Sequence, residues 1–249
     1  MEVVICPTHD DLSIRAARIV AELLRAKPDA VLGLPIGSTP IGLYRELVRM
    51  HREEGLSFAR ARAFTPIEYV GLGPEHPQSS HRFMRQYLFD HVDMCPDKVY
   101  APSGLALDLD AHCLFYEQQI ADCGGIDLQI LGIGTDGHIA FNEPGSSFDS
   151  RTRRVALARQ TIDDNARFFP SRQHVPLMAV SLGIATILEA RRILLLASGP
   201  NKAAILAAAV EGIVNEMCPA SALQLHEHVT VLADESAASR LTLSAGQGR

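Results

Sequence analysis

A chain of 249 residues, 47% hydrophobic and 21% charged, can bury a sizeable core and is too apolar for an intrinsically disordered protein. A net charge of -6 and a pI near 5.9 argue against the basic footprint of a nucleic-acid surface, so an anionic ligand would have to be held by local cations and backbone donors. No apolar run approaches the length of a membrane span, and MEVVICPTHDD has no basic region before its apolar run, so neither a membrane partner nor a signal peptide is expected.

In chain order, EVVIC reads as a short buried strand. Apolar positions at helical spacing from Leu12 to Lys27 predict a helix that Pro28 ends. AVLGLP is a second strand, PIGLYRELVRMHREEG a second helix stopping at Gly55, and RARAF a weaker third strand. DLQILGIG and RRILLLASG are strongly apolar strands, NKAAILAAAVEG is a helix, and HVTVLAD is a late strand. The alternation predicts an α/β fold: a Rossmann-like, mostly parallel sheet with helices on both faces. Without repeat, low-complexity tract or linker, residues 1–249 are expected to form one domain, with a partly disordered LTLSAGQGR tail. The five cysteines, Cys6, Cys95, Cys113, Cys123 and Cys218, lack CxxC spacing and read as reduced, mostly buried thiols of a cytoplasmic protein.

Ligands of open parallel sheets sit at the carboxyl ends of strands, and four segments fall there. GLPIGSTPIG joins a strand to a helix starting near Pro40, which Ser38 or Thr39 could cap. Gly37 lets backbone approach a ligand, so Gly37, Ser38 and Thr39 form either an anion site or simply a capped helix start. In GIGTDGHIAFNEPGSS an apolar strand opens into Asp136 and His138, with Glu143 five residues on. A carboxylate beside an imidazole fixes its tautomer and raises its basicity, which suits a general base, and Glu143 could complete a relay; the alternative is a structural turn. Arg167 and Lys202 are either cations for an anion or solvated charges. Lys202 sits near a helix start, unfavourable for a cation unless an anion compensates. His226 and His228 lack a third ligand and read as exposed histidines rather than a metal pair, and the SRTRR run from Ser150 to Arg154 is either an anion contact or a solvated arm.

Together LGLP, GSTP, EYVGL, EHPQSSHRFM, LFDHVD, GIGTDGHIAFNEPGSS, SRTR, ARFF and AAVEGIVN with PASALQLH resemble the glucosamine-6-phosphate deaminase family over nearly the whole chain. The resemblance implies a fold shared with sugar-phosphate isomerases and lactonases. It also implies reversible conversion of glucosamine 6-phosphate and water to fructose 6-phosphate and ammonia, with no metal or organic cofactor. On this sequence His138 would open the pyranose ring with help from Asp136 and Glu143, and Gly37, Ser38, Thr39, Arg167 and Lys202 would hold the phosphate.

Departures from the family pattern cluster at the site. Ile67 stands where the family has the aspartate that moves a proton between the second and first carbons of the open-chain sugar, Thr65 and Pro66 precede it in place of the usual Asn and apolar residue, and Ile36 replaces a threonine. Such clustering suggests an activity altered in efficiency or substrate range. Glu68 could replace the lost base only if Pro66 re-aimed the strand; otherwise it keeps a supporting place. The alternatives are a sugar-phosphate binding protein that has lost catalysis and a lactonase-type hydrolase. Allosteric relatives carry Arg-x-Lys where this chain reads Arg153-Arg154-Val155, so activation is not expected, and a monomer or small homo-oligomer is.

Overall fold

The structure, a computed structural model, describes residues 1–242. Its strands are β1 (Glu2–Cys6), β2 (Val31–Gly33), β3 (Arg62–Phe64), β4 (Ile67–Tyr69), β5 (Val99–Tyr100), β6 (Leu128–Gly132), β7 (Arg153–Ala156), β8 (Met178–Ser181), β9 (Ile193–Ala197) and β10 (Val229–Asp234). Its α-helices are α1 (His9–Ala26), α2 (Ile41–Glu54), α3 (Ser80–Tyr87), α4 (Leu109–Asp122), α5 (Arg159–Asn165), α6 (Ile184–Leu188), α7 (Ala203–Glu211) and α8 (Glu235–Ala238). No helix among the described residues is long and apolar enough to cross a membrane.

Seven strands form one parallel sheet in the order β1-β10-β9-β6-β2-β3-β5. The apolar runs carry no in-out polarity because both faces are covered. Leu194, Leu196 and Leu232 pack with Leu12, Val20, Leu43 and Leu47 of α1 and α2. The alternate positions Ile193, Leu195, Val229 and Val231 pack with Tyr116, Ile187, Leu206 and Ala237 of α4, α6, α7 and α8. The expected Rossmann-like α/β architecture is therefore present, and the expected strands lie within a few residues of the observed ones.

Two local expectations need correction. Helix α1 starts at His9, ahead of the apolar repeat, because the Thr8 side chain accepts from the Asp11 N–H at 3.2 Å and Asp10 and Asp11 occupy the first turn. Neither Ser38 nor Thr39 caps α2: Pro40 is the cap residue and makes no side-chain bond, so both hydroxyls stay with the loop. A second sheet, antiparallel in the order β4-β8-β7, was not anticipated, since its strands are only three or four residues long. It covers an apolar cluster of Ile67, Tyr69, Phe141, Val155, Leu157, Ile162 and Phe169. The tail expectation falls mostly outside the described residues.

Strand order places the site. After β2 the chain continues to β3 on one side of it, while β6, its other neighbour, leads on to β9. The loops leaving the carboxyl ends of β2 and β6 therefore diverge, and a crevice opens between them.

Candidate active site

A cavity of about 530 Å³ fills that crevice. Its lining includes Ile36, Gly37, Ser38 and Thr39 from the loop after β2, Ile67 and Tyr69 from β4, and His138, Ala140 and Phe141 from the loop after β6. Thr161, Asp164 and Arg167 enter from α5 and the turn behind it, and Lys202 from the start of α7. The structure thus brings Ile36, Gly37, Ser38, Thr39, Ile67, His138, Arg167 and Lys202 to one cavity, although they are scattered over more than half of the sequence.

His138 Nδ1 lies 2.7 Å from Asp136 Oδ1 and 3.6 Å from Glu143 Oε2. Nδ1 is buried against these carboxylates, which leaves Nε2 as the ring nitrogen for a ligand. A tight turn produces this arrangement. Gly137 has a φ of 91°, a region costly to residues with a Cβ, and its N–H donates to Gly134 O at 3.2 Å. A Cβ on Gly134 would lie 2.3 Å from the His138 ring, so only glycine lets the imidazole rest on that backbone. The next turn is strained: Ala140 has a φ of 51°, which costs on the order of 1 kcal/mol or more. It is held there because Asn142 Nδ2 donates to Ile139 O at 3.0 Å and Leu182 O at 2.8 Å, while the Phe141 N–H donates to Ser181 Oγ at 3.0 Å.

The two carboxylates have opposite character. Burial works against ionised Asp136, but the adjacent His138 and its backbone N–H outweigh it and hold the pKa well below the usual carboxylate range. Burial raises the pKa of Glu143, opposed in part by the Thr161 hydroxyl, the charge of His138 and the Ala158 N–H, which donates to Oε1 at 3.1 Å. Asp136 therefore stays ionised behind the imidazole while Glu143 is the easier to protonate, a pairing suited to moving a proton through His138. Facing groups of Asp136, His138 and Glu143 all lie within 4.8 Å of one another, so the same donor set could also hold a cation.

The Gly37–Thr39 loop and two cations, Arg167 and Lys202, line the same cavity. Burial pushes the Lys202 pKa down, while Asp164 and Asp136 push it up, so a bound anion would further favour the charged ammonium. Arg167 lies over the Phe168 ring at 4.6 Å from its centroid. Asp164, which the sequence reading passed over, accepts from Thr135 Oγ1 at 3.2 Å and Gln160 Nε2 at 2.9 Å. Thr161 and Asn142 were also missed. Thr161 lies within α5, which at seven residues is too short to show a clear helical pattern, and the orienting role of Asn142 depends on contacts with Leu182, distant in sequence.

Ile67 and Glu68 occupy opposite faces of β4, as strand alternation requires. Ile67 shares the cavity side with Tyr69, whose ring centroid lies 5.4 Å from that of Phe141. Glu68 does not line the cavity: it accepts from Ser79 Oγ at 2.7 Å and from the N–H groups of Tyr69 at 2.8 Å and Ser80 at 3.3 Å. Pro66 does not turn it into the cavity, and Glu68 is engaged by these three donors instead. His226 spends Nε2 on Ala190 O at 2.7 Å and Nδ1 on the His228 N–H at 3.0 Å, so it is no half of a metal pair. The SRTRR run is no free arm: Arg151 pairs with Glu189, Thr152 binds Glu117, and Arg153 donates to Asn142 Oδ1 at 2.8 Å.

The fold is of the doubly wound α/β class, and its switch-point cavity holds an acid–imidazole–acid group together with two cations, the parts of an acid–base site for an anionic ligand. The sequence pattern described as glucosamine-6-phosphate isomerases/6-phosphogluconolactonase matches residues 8–232, and the chain belongs to that family. A glucosamine-6-phosphate deaminase of Arthrobacter sp. (strain FB24) is 51% identical over 244 residues, covering 98% of this chain and 94% of the relative. One from Bacillus velezensis is 50% identical over 238 residues, 96% of this chain and 99% of the relative. The fold matches a solved monomeric glucosamine-6-phosphate deaminase with a TM-score of 0.95 at 50% identity, covering 96% of this chain and all of that one. A 6-phosphogluconolactonase from Trypanosoma cruzi shares the fold at a TM-score of 0.76 and 24% identity, covering 97% of each chain.

Proposed function

We propose that this chain is a glucosamine-6-phosphate deaminase-type enzyme in which proton transfer between the second and first sugar carbons is slowed by the apolar side chain of Ile67. The observation that carries it is the shared cavity, which His138, backed by Asp136 and Glu143, lines together with Gly37, Ser38, Thr39, Arg167 and Lys202, the candidates for holding the phosphate. Nε2 of His138 takes the hydroxyl proton of the closed sugar and returns it to the ring oxygen. Asp136 fixes the tautomer, and Glu143 buffers the proton. Two relatives near 50% identity over nearly the full length, both glucosamine-6-phosphate deaminases, support this reading over the lactonase one, for which the likeness is one of fold.

The substrate is then an amino-sugar phosphate and the released partner ammonia. The same relatives support residues 1–249 acting as one domain, and the monomeric neighbour supports a monomer. Five thiols without a disulfide support a cytoplasmic setting. Ammonia release from glucosamine 6-phosphate, together with amination of fructose 6-phosphate in reverse, tests the proposal; absence of turnover in both directions refutes it. Ile67 also favours a second reading, a sugar-phosphate binding protein without catalysis, which calorimetry would reveal as binding without product.

A further inference from the structure

We propose that the chain is an anomerase of amino-sugar phosphates: it opens the pyranose ring and lets it reclose on either face of the first carbon faster than it moves the proton of the second carbon. This rests on the functional reading above and adds an activity to it.

Two separate proton tasks lie between a closed amino sugar and its ketose. Opening the ring takes a proton from the first-carbon hydroxyl and gives one to the ring oxygen. One imidazole can do both, and His138 is built for it, with Nδ1 at 2.7 Å from Asp136 and Nε2 left for the ligand. Shifting the proton from the second carbon requires an acceptor on another wall of the cavity, and the wall formed by β4 has none. Its cavity face carries Ile67 and Tyr69, continued by Phe141 at 5.4 Å from Tyr69 and by Ile36, which packs on the same apolar cluster. The Tyr69 phenol is pushed well above its ordinary pKa by burial, so it offers no phenolate at neutral pH. Glu68 is turned to Ser79. Asp136 and Glu143 sit behind the imidazole, and Asp164 lies beside Thr135 and Lys202.

The fate of the open chain follows. The C1–O5 bond breaks, the O1 proton leaves through His138, C1=O1 forms and O5 gains a proton. With no acceptor over the second carbon, the aldehyde has one fast route left. Rotation about the C1–C2 bond presents the other face of the carbonyl to O5; O5 adds, loses its proton, and O1 regains one. The net change is inversion at the first carbon. No electron is transferred, no group leaves and no ammonia is released.

Exchange NMR on glucosamine 6-phosphate in deuterated water reads both steps in one sample. The expected result is α–β exchange about tenfold or more faster than in buffer, proportional to enzyme, while the hydrogen on the second carbon stays protium over the same interval. His138→Gln should abolish the acceleration while calorimetry still detects binding of the sugar phosphate. Ile67→Asp should introduce deuterium at the second carbon. Bound ligand with anomer exchange at the buffer rate overturns the anomerase inference and leaves the deaminase reading standing if ammonia appears. Deuterium entering the second carbon as fast as the anomers exchange also overturns it. Failure to bind the ligand at all overturns both.

Discussion

Glu68 is the carboxylate next to Ile67, and substituting it separates support from catalysis. The residue is 2% exposed in the folded chain, and its carboxylate accepts from Ser79 Oγ, the Tyr69 N–H and the Ser80 N–H at 2.7, 2.8 and 3.3 Å. Glu68→Ala strips these donors of their acceptor. At about 1–3 kcal/mol for each buried donor left unpaired, without full additivity, the loss is about 3–6 kcal/mol. That is a large share of the ~5–15 kcal/mol that keeps a domain folded. Glu68→Gln keeps an acceptor oxygen and the volume, so it should cost about 1 kcal/mol and leave turnover within a few-fold. Burial raises the Glu68 pKa, so the folded state holds its proton to higher pH than the unfolded state does. Stability contributed by that proton is present at low pH and lost as pH rises through the raised value. The stability difference between parent and Glu68→Gln should therefore move in favour of the variant above pH ~4. Urea unfolding at several pH values, paired with ammonia release per folded molecule, checks both parts. A folded Glu68→Gln protein that has lost about a hundredfold or more in turnover would refute the supporting role and make Glu68 the base.

Thr161→Val removes the hydroxyl that holds the Glu143 pKa down, so the acid limb of the rate–pH profile should shift to higher pH, and an unmoved limb would show that Glu143 does not titrate in the rate. Lys202→Ala should weaken phosphate-ester binding about tenfold to a hundredfold with little loss of stability, read by calorimetry, whereas equal affinity would take Lys202 out of phosphate binding.

Much of the parallel sheet is legible in the sequence because buried strands such as Ile193–Ala197 are unbroken apolar runs, and Glu2–Cys6 is a β-branched run ended by Pro7. Strands β4, β7 and β8 are not legible, since three or four residues give no period to read and their pairing joins Ile67 to Ser181 across more than a hundred positions. The acid–imidazole group was readable because Asp136, His138 and Glu143 lie on one loop. Thr161, Asp164 and Asn142 were not, because what makes them matter is a neighbour distant in sequence: Glu143, Lys202 and Leu182 respectively. The role of Glu68 turns on which face of β4 it takes, and there it meets Ser79, a partner eleven residues on that the strand pattern does not reveal.

We propose that the site is complete except for a proton acceptor at position 67. The most direct measurement is the rate of ammonia release from saturating glucosamine 6-phosphate by the parent chain and by Ile67→Asp. Restoring a positioned base should raise the rate about 10²–10⁴-fold, equivalent to about 2.7–5.4 kcal/mol of barrier. The variant should remain folded, although a carboxyl placed on the apolar β4 wall will lower its melting temperature. A folded, ligand-binding Ile67→Asp protein no faster than the parent would contradict the claim.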